Sequence, residues 1–123
     1  MRVSSFILGL SAALTLARTA APCGLCHEDN RAAVYSYEAM QKVAANPEAL
    51  EFVVLKVRGT LFPETIGSLT HWLSDRAGVD PSTVKISALQ KSIGFVFDKM
   101  RLKEELIASL THDFPGLGFE RAP

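Results

Sequence analysis

The 123-residue chain holds only two cysteines and one tryptophan, so it has no disulfide framework and no metal cluster built from several cysteine pairs. A surplus of charge of one sign is also missing. Thirteen Lys and Arg balance thirteen Asp and Glu, and without a basic surplus there is no electrostatic footprint for nucleic acid or an anionic membrane surface. No uncharged run reaches the roughly 20 residues that a membrane-spanning helix needs. Gly-rich phosphate loops, a serine elbow and motif-placed carboxylate pairs are absent, which argues against an enzyme. Internal repeats and low-complexity tracts are absent as well, and the length excludes a multidomain protein. What is present is 48% apolar and 21% charged residues, a composition suited to one packed globule.

Part of the apolar content is concentrated at the start. Arg2 is followed by an uncharged run from Phe6 to Leu16 and then by the small residues of Ala17 to Ala21. A positive start, a short apolar middle and a small-residue end read as a secretory signal peptide over residues 1–21. Cleavage after Ala17 (with Thr15) or after Ala21 (with Thr19) satisfies the small-residue rule. Pro22 directly before Cys23 is unfavourable for a lipidation signal. The chain is therefore expected to be secreted, or periplasmic in a Gram-negative source, with membrane contact only through the leader. Cleavage takes Arg2 and Arg18 from the basic residues and nothing from the acidic ones, leaving a net charge of −2.

Behind the leader, Val34, Tyr37, Met40, Val43 and Ala44 recur at the spacing of one helix face, which predicts a helix over 31–45 ended by Asn46-Pro47. Tyr35 and Tyr37 are expected to pack this helix against the rest. Phe52 to Arg58 is β-branched and apolar on both faces, a strand closed by Gly59. Phe62, Ile66, Leu69, Leu73 and Ala77, with Pro63 in the first turn, predict a helix stopped by Gly78. Val84, Ile86 and Ala88, then Ile93, Phe95 and Phe97, alternate as two arms of a hairpin turned at Gln90-Lys91. Asp98 suits the N-cap of a helix carrying Leu102, Leu106, Ile107 and Leu110. Pro115-Gly116 ends that helix and Leu117 to Glu120 supply a last strand. The order strand, helix, strand, strand, helix, strand predicts an α+β fold: a ferredoxin-like βαββαβ sandwich over 51–123, with a four-stranded antiparallel sheet and two helices on one face. An extra N-terminal helix in the 22–50 segment precedes it.

Leu55-Lys56-Val57-Arg58-Gly59, a helix ending at Gly78-Val79, a hairpin ending Val96-Phe97-Asp98, and a helix before Gly118-Phe119 resemble the heavy-metal-associated domain. The resemblance covers residues 52 to about 120. It implies a metal-carrying module whose two cysteines, preceded by Gly-Met, stand in the loop after the first strand. Here Gly59 fits the glycine, Thr60 replaces the methionine, and Phe62 and Thr65 stand in the cysteine places.

The thiols lie elsewhere. Cys23-Gly24-Leu25-Cys26-His27-Glu28-Asp29 gathers both cysteines, a histidine and two carboxylates, the densest set of ligand types in the chain. Thiolates are soft donors that suit Cu(I) or Zn, so Cys23 and Cys26, with His27 as an auxiliary, form the expected metal site. Zinc needs a fourth donor, for which Glu28, Asp29, His71 and His112 are the candidates. A site near a chain end is open to a partner protein for metal exchange. The same five residues match the attachment pattern of c-type haem, with Met40, Met100, His71 or His112 as a sixth ligand. A local disulfide or thiol redox couple suits the exported compartment too, with the domain then acting as an interaction module. His71 reads as a surface histidine and His112 as one favoured by a helix C-terminus.

Overall fold

Strands whose apolar side chains occupy consecutive positions need cover on both faces, and two segments of this chain have that character. The computed structural model, which describes residues 30–122, meets the demand with helices on either side of one sheet. A helical turn at 30–33 leads to α1 (Tyr37–Ala45), β1 (Leu50–Arg58), α2 (Pro63–Ser74), a 3-10 turn (Pro81–Thr83), β2 (Lys85–Ser87), β3 (Ser92–Asp98), α3 (Lys103–Asp113) and β4 (Gly118–Arg121). The four strands run antiparallel in the order β2-β3-β1-β4. The fold class is α+β, with the two apolar strands at the centre of the sheet.

Strand alternation divides the core in two. Val53, Leu55 and Val57 of β1 share a face with Ile93, Phe95 and Phe97 of β3, and there they meet Leu69 and Leu73 of α2 and Leu106 and Leu110 of α3. Phe95 and Phe97 meet edge to face, with ring centroids 6.0 Å apart. On the opposite face Val54 and Val96 are buried beneath Val34 and Ala39, which are fully inaccessible. Gly94 makes this second layer fit. A Cβ there would stand 2.8 Å from Val34 Cγ2 and 2.9 Å from Phe52 Cζ, closer than carbon atoms approach.

The helix predicted over 31–45 is two pieces. Residues 34–36 leave the helix and Ser36 caps α1, its Oγ accepting from the Ala39 N–H at 3.3 Å. A serine that satisfies a helix-start donor competes with helix continuation. The expected role of the tyrosines changes with it: Tyr35 and Tyr37 are 52% and 67% exposed, and Val34 and Ala39 pack in their place. Asp98 likewise does not cap α3. It pairs with Leu50 at the end of β3, its Oδ1 accepts from the Met100 N–H at 2.9 Å, and α3 begins only at Lys103, behind Leu102.

The short β2 leaves part of the β3 edge to be finished by the 3-10 turn. Buried Thr83 accepts from the Val96 N–H at 2.9 Å through its hydroxyl, while the Asp80 N–H donates to the Val96 carbonyl at 3.0 Å. Asp80 also ties this turn to α1, its Oδ2 lying 2.7 Å from Lys42 Nζ. The Lys42 hydrogen bond is the largest influence on the Asp80 carboxyl and, with help from Ser82 and against some desolvation, holds it below the ordinary aspartate range.

Gly94→Ala should destabilise the protein by about 1–3 kcal/mol through overpacking. Val34→Ala alone should also destabilise, and the double variant should be less unstable than the two losses added together, as measured by urea unfolding. A second expectation concerns acid. A depressed aspartate pKa gives stability that is present above the unfolded value and lost as pH falls through the folded one. Lys42→Met should therefore cost up to about 1 kcal/mol at neutral pH. That difference from wild type should fade as pH drops below about 3.9, followed by thermal unfolding.

Candidate functional site

Cys23, Cys26 and His27, with Glu28 and Asp29, lie outside the described residues. The structure does describe the point where that segment joins the fold. Asn30 Oδ1 accepts from the hydroxyl of fully buried Ser92 at 3.0 Å, and four residues on Val34 is sealed over Gly94. Ser92 sits between Lys56 of β1 and Ser87 of β2 in the sheet register. At about 3.6 Å per residue, chain length holds His27 within about 11 Å of Asn30 and Cys23 within about 25 Å. Asn30, the first described residue after that segment, is thus anchored on the α1 side of the sheet.

The other ligand candidates stand elsewhere. His71 on α2 and His112 on α3 belong to the helices of the opposite layer, and their side chains are 81% and 89% exposed. Each faces one aspartate: His71 Nε2 is 3.3 Å from Asp75 Oδ2, and His112 Nδ1 is 3.2 Å from Asp113 Oδ1. Met40 is half-buried on α1, and Met100 is exposed before α3. Among the described residues, no three His, Cys, Asp or Glu side chains converge as a metal site requires.

The loop after β1, where the resembled family carries its cysteines, is a hollow of about 580 Å³ formed with the segment Asp113 to Leu117. Gly59, Thr60, Phe62 and Thr65 line its other side, with hydroxyls and an aromatic ring in the place of thiols. These groups are hard oxygen donors or apolar surface, and neither holds a thiophilic ion. Any thiolate chemistry of this chain comes from Cys23 and Cys26, its only two cysteines.

A polar cluster that sequence reasoning missed joins α2 to the end of α3. Asp113 Oδ2 accepts from Trp72 Nε1 at 2.6 Å and lies 3.5 Å from Arg76, whose guanidinium covers the Trp72 ring at 3.8 Å. Phe114 closes the far side, edge-on to Trp72 at 6.4 Å. The Trp72 hydrogen bond, then that of His112, holds the Asp113 carboxyl below the usual aspartate range. Trp72 and Arg76 are four residues apart and so legible as neighbours, although Arg76 stands just past the end of α2, but their acceptor lies 41 residues from Trp72 and only the fold brings it there.

Comparison with known protein families, curated proteins and solved structures finds no match. Among the described residues no helix is long and apolar enough to cross a membrane.

Trp72 is the sole tryptophan, which makes the Asp113 contact directly readable. Its emission should change on acidification with a midpoint below the ordinary aspartate value of about 3.9. Asp113→Asn should remove that transition, and an unaltered transition in this variant would assign it to another group.

Proposed function

We propose that this chain is an exported heavy-metal-binding protein, in which Cys23 and Cys26 are thiolate ligands to Cu(I) or Zn and His27 is an auxiliary ligand. Its role is to bind the ion and hand it to a partner protein; its chemistry is binding, not catalysis. The observation that carries this reading is the Cys23-Gly24-Leu25-Cys26-His27 run, three residues ahead of a side chain fixed to the sheet by Asn30 and Ser92. Two thiolates near the start of the mature chain can leave coordination positions open to an incoming ligand, and the segment that bears them joins the fold at Asn30. With His71 and His112 exposed in the opposite layer, Glu28 and Asp29 are the further donors nearest in sequence to His27.

The ferredoxin-like assignment belongs to the same proposal. It rests on the element order from β1 to β4 and on the adjacency of β1 with both β3 and β4, which makes α2 cross β3 and α3 cross β1. The resemblance to heavy-metal-associated domains then describes a degenerate member whose ligand pair stands ahead of the domain and not in its first loop. Residues 1–21 act as the signal peptide, and the mature protein is periplasmic or secreted.

One specific feature favours a second reading. Cys-x-x-Cys-His is the pattern through which c-type haem is attached, and export is the condition that attachment requires. Intact mass of the mature protein, recovered from the periplasm of a host able to attach haem, separates the readings. The expected result is an apo-chain mass that gains one metal ion after reduction. Cys23→Ser with Cys26→Ser should abolish that gain and leave the far-ultraviolet circular dichroism unchanged, whereas His71→Ala with His112→Ala should preserve it. A covalent gain of haem mass would establish the second reading; a two-hydrogen deficit with no uptake after reduction would leave a disulfide-bearing interaction module.

A further inference from the structure

We propose that the groove between α2 and the first half of α3 is a binding site for a small aromatic anion, a ring bearing a carboxylate or phosphate. The groove is open to solvent and has a volume of about 500 Å³, within the range of small-molecule sites. Trp72 lines one wall, the core side chains of Phe97 and Leu106 lie beneath as a largely buried floor, and Met100 and Leu102 form a rim that is 86% and 61% exposed. An exposed apolar rim around a concave floor is what an apolar ligand body covers.

The charged groups choose the ligand's sign. Arg76, Arg101 and Glu105 line the groove, and Arg76 is already paired with Asp113, so Arg101 is the guanidinium left for a ligand. Arg76 is held in place by Asp113 and the Trp72 ring. Arg101 makes no side-chain hydrogen bond or ion pair among the described residues, so its donors are available to an acceptor. The backbone makes room for it. Gly78 has φ +90°, and a Cβ there would lie 2.4 Å from Arg101 Cδ and 3.3 Å from Phe97 Cε2. Arg101 therefore lies with its stem across Gly78, next to the Phe97 ring, while the residue as a whole is exposed. A guanidinium fork matches carboxylate and phosphate oxygens, and the Trp72 ring with the exposed Met100 and Leu102 side chains matches an aromatic body. This site lies in the opposite layer from α1, and the inference is independent of metal binding.

Trp72 lies in the groove wall and reports occupancy. Phenyl phosphate should change its fluorescence saturably in the wild-type protein, with phenol and inorganic phosphate each at least about tenfold weaker, because one lacks the charge and the other the ring. Arg101→Gln should weaken phenyl phosphate by about tenfold or more. Glu105→Gln should strengthen it, since the competing carboxylate is gone. Amide shifts in a nitrogen-15 spectrum should centre on residues 97–109, and unchanged melting temperatures would show that both variants fold. The proposal is overturned by the absence of saturation up to about 10 mM, by equal binding in Arg101→Gln, or by phenol or phosphate binding as well as phenyl phosphate.

Discussion

The two central strands are apolar on both faces, and the contact of Val34 with Gly94 is what closes the second of those faces. The first face has ample cover, since α2 and α3 bring leucines at helical spacing over Leu55, Phe95 and Phe97. Among the described residues the second has α1 and the turn ahead of it, and Ala39 and Val34 are its fully buried contributions from that side. Small residues on both sides of this contact let the backbones approach, so a modest side chain excludes water from Val54 and Val96. The consequence extends to the chain ahead of α1, because sealing Val34 fixes the place from which the segment 23–29 departs.

Polar groups then decide the ends of the elements. Thr83 and Asp80 satisfy Val96 where β2 has run out, so this stretch of the β3 edge keeps its donor and acceptor paired. Lys42 adds the link from α1 to that turn, and Lys103 pairs with Glu51 between α3 and β1. Such exposed or half-exposed pairs contribute little each. Their effect is to fix which way the helices lie over a core whose apolar contacts are non-directional.

Local periodicity makes the sheet legible in the sequence. Alternation at Ile93, Phe95 and Phe97 and the three-to-four spacing from Phe62 to Leu73 report which side of an element is dry, and Phe95, Phe97, Leu69 and Leu73 are indeed buried. The misreadings fall where a short side chain bonds its own backbone: Ser36 breaks the first helix and Asp98 builds a turn, both by hydrogen bonds that hydropathy does not encode. The Trp72 to Asp113 bond and the Asn30 to Ser92 bond span 41 and 62 residues, so spacing rules do not reach them. The thiol site is the reverse case. As a proposal it rests on five consecutive residues, Cys23 to His27, whose chemistry is local, and those residues lie outside the described part of the fold.

The division of the sheet into two layers also separates what the chain can do. On the α1 side the fold offers the anchor of Asn30 on Ser92, and the proposed chemistry belongs to soft donors that precede it in sequence. On the α2 and α3 side it offers a walled groove lined by two guanidinium groups, and in the loop after β1 a hollow with hydroxyls where thiols would be needed. A thiophilic ion has no reason to leave thiolates for either of the latter, since arginine repels it and hydroxyls are hard donors. An anion has equally little to gain near Glu28 and Asp29. The sheet between them is packed on both faces, so occupancy of one side reaches the other only by altering that packing. Gly94 and Val34 are the place where such coupling would have to pass, because there the backbone of β3 and the chain leading from the cysteines meet without a spare ångström.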